Sequence, residues 1–268
     1  MKFKTYIPCD ILKPYVKSFA IQETEDAKTY KVLPGTGLVI GFQYKGKLSR
    51  LDNQKEIVLS ASGVSGLADH YKVFKSSANI GSVLVFFKEA GASIFFRQPL
   101  HELFRESISL DNFMLRSELL LLEEQLGGAK SDFARIEAVE KFLVARMTLQ
   151  EPDKLVLAAL ALIHKNKGNI RIKELIKELH TSQSPLEKRF RQAVGASPKK
   201  FASIVRLKNA ILQYDPAVSL TGLSYEAGFY DQAHFIKEFK TFTGDTPEAF
   251  LLQKTGKRFF TITQTRFD

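Results

Sequence analysis

The sequence predicts an α+β multidomain protein. An N-terminal β-rich, jelly-roll or barrel-like domain with accompanying helices precedes an all-α C-terminal domain of two helix-turn-helix units on a linking helix. Three observations carry this. Short apolar, β-branched runs between Gly and Ser residues fill the first hundred positions. After Pro99 the apolar residues recur with helical spacing instead. Phe190, Gly195, Pro198 and Phe201 then return, 49 residues later, as Phe239, Gly244, Pro247 and Phe250.

The strand candidates come first. Gly37 to Tyr44 is rich in β-branched and aromatic residues, with Lys45-Gly46 as a hairpin turn. Glu56 to Ser60 and Tyr71 to Lys75 are two more. Gly81 to Phe87 is the strongest and reads as a strand buried on both faces. Strands this short, spaced by turns, suggest a barrel or a sandwich.

Helices follow. Leu115, Leu119, Leu122 and Leu126 form one helical stripe, ended by Gly127-Gly128. Ser131-Asp132 caps a second helix with the stripe Ile136, Val139, Leu143 and Met147. These stripes either cover the β-domain or build a dimer interface. Glu151-Pro152-Asp153 is the domain boundary, because Pro stops one helix and Asp153 caps the next. The division is therefore 1–152 (strands to about 97, helices about 98–150), 153–255, and a tail at 256–268.

Charge is unevenly placed. Of the net +10, residues 154–208 hold 13 basic and 3 acidic side chains, whereas 209–268 hold 6 and 7. A basic block in a globular chain is either a solvated surface or the footprint of a polyanion. Periodicity decides. Ile172, Leu175, Ile176 and Leu179 stripe a short helix that His180-Thr181-Ser182 breaks. Leu186, Phe190, Ala193 and Val194 stripe the next, closed by Gly195, which completes a helix-turn-helix corner. Its cap is either Ser182 or Ser184, the latter as a capping box with Pro185.

The design repeats. Leu220, Leu223, Ser224 and Ala227 lead to the turn Gly228-Phe229-Tyr230, and Asp231 caps a helix bearing Phe235, Phe239 and Phe242. Each copy closes with a cap and a proline, Ser197-Pro198 and Thr246-Pro247, and one continuous helix from Pro198 to about Leu212 joins them. The outward faces name the candidate DNA-binding residues: Gln183, Ser184, Glu187, Lys188 and Arg191 on the first recognition helix. On the second they are Gln232, Ala233, Ile236, Lys237 and Lys240. Arg171, Lys199 and Lys200, at helix ends, are candidates for phosphate. Ile236 either meets a thymine methyl or packs.

Gly228-Phe229-x-Asp231-Gln232-x-x-Phe235-x-x-x-Phe239-Lys240 with Thr243-Gly244-x-Thr246-Pro247-x-x-Phe250 resembles the signature of the AraC family of bacterial transcription regulators. Glu174-Leu175-Ile176, Phe190-Arg191, Gly195-x-Ser197-Pro198 and Arg206-Leu207-x-x-Ala210 fit the same family, so the resemblance covers about 155–252. It implies two recognition helices in successive major grooves and an N-terminal domain that senses an effector or dimerises. Ser224 and Ala233 depart from the usual Ala and Ser. Leu33-Pro34-Gly35-Thr36-Gly37 and Phe86 to Ala92 loosely resemble the domain attached to one subgroup of that family.

Enzyme classes find little support. His70, His101, His164, His180 and His234 stand apart, Cys9 is the single cysteine, and there is no phosphate-binding Gly loop. No cofactor and no metal are expected. No run is apolar enough for a membrane span or a signal peptide, so the expected location is cytoplasmic. The partner expected is double-stranded DNA; RNA polymerase, a small-molecule effector and a second copy of the chain are further candidates.

Overall fold

The computed structural model describes residues 2–52, 55–148, 151–212 and 219–254. Ten strands come first: β1 (Lys2–Tyr6), β2 (Val16–Thr24), β3 (Lys28–Val32), β4 (Val39–Lys45), β5 (Leu48–Asp52), β6 (Lys55–Val58), β7 (Ser62–Ser65), β8 (Lys72–Ser76), β9 (Ile80–Phe87) and β10 (Ser107–Ser109). They form a sandwich of a six-stranded sheet, β1-β2-β9-β4-β7-β10, and a four-stranded sheet, β3-β8-β5-β6. The β4–β5 hairpin turns at Gly46, whose φ of 67° is the left-handed conformation that glycine adopts without strain.

Strand β9 is central in its sheet and buried on both faces, as its composition requires. Ser82, Leu84 and Phe86 face the space between the sheets, and Val83, Val85 and Phe87 face the other way. That outer side is covered by α1 (Arg116–Gly128) and α2 (Asp132–Val144), with Phe142 edge-on to Phe42 at 5.9 Å. Covering the sheet is therefore the role of the two stripes. Ser131 caps α2 by accepting from the Ala134 N–H.

The structure corrects three boundaries. The stretch expected to be helical from about 98 contains β10, because the chain returns to pair with β7; around it lie 3-10 turns at Gly91–Ile94, Leu100–Leu103 and Leu110–Asn112. Gly127 and Gly128 sit inside the last turn of α1, which ends when Ala129 turns extended. Leu115 precedes α1 and is 68 % exposed, and Met147 lies beyond the end of α2, so neither extends its stripe on the helix. The tail proposed at 256–268 lies outside the described residues.

Seven helices follow: α3 (Lys154–Lys165), α4 (Ile172–Glu178), α5 (Gln183–Val194), α6 (Pro198–Leu212), α7 (Leu220–Glu226), α8 (Gln232–Thr243) and α9 (Pro247–Lys254). Asp153 caps α3 through the Leu155 and Val156 N–H groups. Among the described residues no helix is long and apolar enough to cross a membrane. One buried apolar cluster runs from Tyr6 to Phe250, through both halves of the chain.

Candidate nucleic-acid interface

The first corner is α4, a left-handed His180 (φ 47°), and α5. Leu186, Phe190 and Val194 are buried along one face of α5, so the opposite face is left to solvent. Gln183, Ser184, Lys188 and Arg191 are exposed there, and Glu187 pairs with Arg191 at 3.5 Å. Ser182 is the residue at the N-cap position, but its hydroxyl makes no capping bond. Pro185 therefore lies in the first turn, where its missing N–H costs nothing.

The second corner is α7, Gly228 at φ 72°, and α8. Asp231 accepts from the Ala233 N–H at 2.9 Å, which fixes where α8 begins. Phe235, Phe239 and Phe242 are buried; Gln232, Ala233, Lys237 and Lys240 are exposed. Ile236 is half-buried and packs against the core. Helix α6 joins the corners over the range its periodicity predicted, with Phe201, Ile204, Val205 and Ile211 inside.

Arg171 and Lys199 are exposed at helix starts. The Arg171 backbone N–H donates to the Glu174 carboxylate at 3.1 Å. Lys200 is held by Asp69 of the sandwich at 2.8 Å. Arg189 sits on the recognition helix yet donates twice to Asp153, at 2.6 and 2.7 Å, so it ties α5 to the start of α3. Tyr230, fully exposed directly before α8, was read from the sequence only as part of a turn.

The sandwich holds both corners at matching places. Gly195 and Gly244 close α5 and α8 with φ of 95° and 83°. A Cβ at Gly195 would lie 3.3 Å from a Leu67 methyl, and one at Gly244 would be 2.7 Å from the Tyr71 ring. Lys31 reaches from β3 to Asp245 at 2.7 Å and lies 5.1 Å from the Tyr71 ring centre. The segment from Leu67 to Tyr71, with Lys31, thus grips the equivalent turn of each unit. Burial pushes the Asp69 carboxyl up, but hydrogen bonds from His70, Arg105 and Lys200 outweigh it and hold it far below the usual range. Deeper in, burial opposes ionisation of Glu89, and bonds from His164 of α3 and from Thr36 bring its pKa down to about 2.

Between the two sheets lies a cavity of about 550 Å³, within the range of small-molecule sites. Its wall includes Tyr30, Val32 and Ser65, close neighbours in sequence of the gripping residues Lys31 and Leu67. No sequence signal marked the grip or the cavity, since both arise from residues far apart in the chain. Among the described residues, no His, Cys, Asp and Glu cluster could hold a metal.

The chain thus joins a β-sandwich to two copies of one helix-turn-helix unit. Residues 175–253 match the family described as Helix-turn-helix domain, and residues 4–109 match Domain of unknown function (DUF6597). The Msm operon regulatory protein of Streptococcus mutans is 34% identical over 91 residues, 33% of each chain. An uncharacterized HTH-type transcriptional regulator of Haemophilus influenzae is 28% identical over 101 residues, 37% of this chain and 34% of that one. The chain thus matches about a third of the length of these curated relatives. A crystal structure of apo ToxT from Vibrio cholerae aligns over 87% of this chain and 97% of that one, with a TM-score of 0.47 and 15% identity. Another ToxT structure holds an unsaturated fatty acid. The C-terminal part of the chain is thus similar to helix-turn-helix regulatory proteins.

Proposed function

We propose that the chain is a sequence-specific, DNA-binding transcription regulator of the AraC type, whose two recognition helices enter successive major grooves. The observation that carries this is the repeat: two corners whose second helix exposes polar and basic side chains, ends at a left-handed glycine (Gly195, Gly244) and is followed by a proline-started helix. Lys188 and Arg191 on α5 and Gln232 and Lys237 on α8 reach base edges; Arg171, Lys199, Lys200 and Lys240 meet phosphate. Tyr230 joins them, its hydroxyl donating to a phosphate beside α8.

The sandwich controls this binding through a small molecule in the cavity, because β3, which walls the cavity, also carries Lys31 to Asp245 of the second unit, and Ser65 of the wall leads into the loop that holds both units. The alternative, an effector-independent regulator whose N-terminal domain only dimerises or binds a protein, has behind it the exposed Leu120, Leu121 and Phe133 on α1 and α2. The cavity of about 550 Å³ between the sheets favours the first reading. Selection of bound fragments from a random duplex pool by the full-length chain tests the function. Two conserved blocks with centres about 10 base pairs apart are expected; a pool that stays random overturns the reading.

A further inference from the structure

The cavity is organised in bands set by strand register. Gln22 of β2, Ser82 of β9 and Gln43 of β4 lie directly opposite one another, and all three line it. Tyr30 of the facing sheet lines the cavity as well. The next band on the same wall is Leu84, Gly41 and Gly63, again in register. A Cβ at Gly41 would meet only Leu84, at an ordinary 3.5 Å, so Gly41 leaves open room above an apolar floor, whereas one at Gly63 would lie 3.3 Å from the Ile108 carbonyl oxygen. Ser65 and Ser107 close the far end, with their hydroxyls 2.8 Å apart.

Among the described residues the wall has no acidic residue, and its one charged residue, Lys28, is solvent-exposed; Arg50, opposite Phe74 on the neighbouring strand, is paired with Asp52 at 3.3 Å. Lys72 lies next to Ser107, but its ammonium donates to Ser107 Oγ and to the Glu106 carbonyl, so protein acceptors already engage it. A charged group drawn into this cavity would leave water without gaining a partner charge. Between its polar bands the cavity is lined by Phe74, Val64, Leu84, Phe86 and Ile108, which suits apolar parts of a ligand.

We infer that the cavity is built for an uncharged, largely apolar molecule with a hydroxyl, carbonyl or amide group that Gln22, Ser82 and Gln43 read. This rests on the reading of the cavity as the effector site. Carboxamides offer both donor and acceptor, so the band serves either polarity of a neutral group.

Titration calorimetry of the full-length chain at about pH 7 with decan-1-ol, decanamide and decanoate tests it; at that pH the acid is ionised. The alcohol and the amide bind, and decanoate binds at least roughly tenfold more weakly. Gln43→Leu lowers decanamide affinity roughly tenfold, and Gly41→Phe, which fills the open floor, abolishes binding of all three. Gly41→Val, suited to a strand, replaces Gly41→Phe if the larger residue prevents folding. Decanoate binding as tightly as the alcohol, with Gly41→Phe still blocking it, overturns the ligand class and leaves the cavity as a site. Binding by none of the three, or binding unaffected by filling the floor, overturns the cavity as the effector site and the inference with it.

Discussion

Lys188 and Phe190 stand two residues apart on α5, and the helix sends one to solvent and the other to the core. Lys188→Ala therefore alters which DNA sequences are preferred without changing the melting temperature, as does Glu187→Ala, which also frees Arg191. Phe190→Ala destabilises by about 3–5 kcal/mol, the usual cost of deleting a buried ring. A normal denaturation midpoint for Phe190→Ala would show the helix faces to be reversed. Lys72 gives a second test at this scale. Burial, with repulsion from Arg50, lowers its pKa from 10.5 to about 8. Between these values the unfolded chain holds the extra proton, so this group makes the fold more stable as pH rises from about 8 to 10.5. Urea midpoints across that range should climb more steeply for the wild type than for Lys72→Met. Parallel curves would mean that Lys72 is not held in this way.

Among the elements, those carrying a local period were legible in the sequence: β9, and α3 through α8 with their caps at Asp153 and Asp231. The 3-10 turns, β10 and the contacts of Asp69, Lys31 and Asp245 were not, because long-range pairing creates them and no nearby residue encodes them. The candidate site was legible for the same local reason, as an outward face is the complement of an apolar stripe. Partners from other elements, such as Asp153 for Arg189 and Asp69 for Lys200, escaped that reading, as did the exposed Tyr230. Helix α6 is the element with the sharpest test. Its 15 residues span about 22 Å, and the proposed reading requires the recognition helices to meet grooves about 34 Å apart. Inserting about 5 base pairs between the two DNA blocks turns one groove to the far side. Affinity should fall towards that of one unit, and a full-turn insertion should not restore it, since α6 has fixed length. A footprint indifferent to both insertions would leave a single reading unit.

At the scale of the molecule, electrostatics and packing make separate claims. The basic block at 154–208 should release counterions from DNA, giving a log K against log salt slope of magnitude about 4 or more. A nearly flat plot would remove phosphate contact from the account. Asp69→Asn should free Lys200 and raise affinity for all sequences by a similar factor, read by titration at constant salt. Packing leads elsewhere. Helix α5 of the first corner rests against the 3-10 turns Gly91–Ile94 and Leu100–Leu103 of the sandwich, and one apolar cluster continues across that seam. Two halves that share an interior cannot melt in turn, because losing either one bares the other's buried surface. Heating should therefore give one calorimetric transition, and a molecule seated between the sheets should slow proteolysis within α8 as much as within β9.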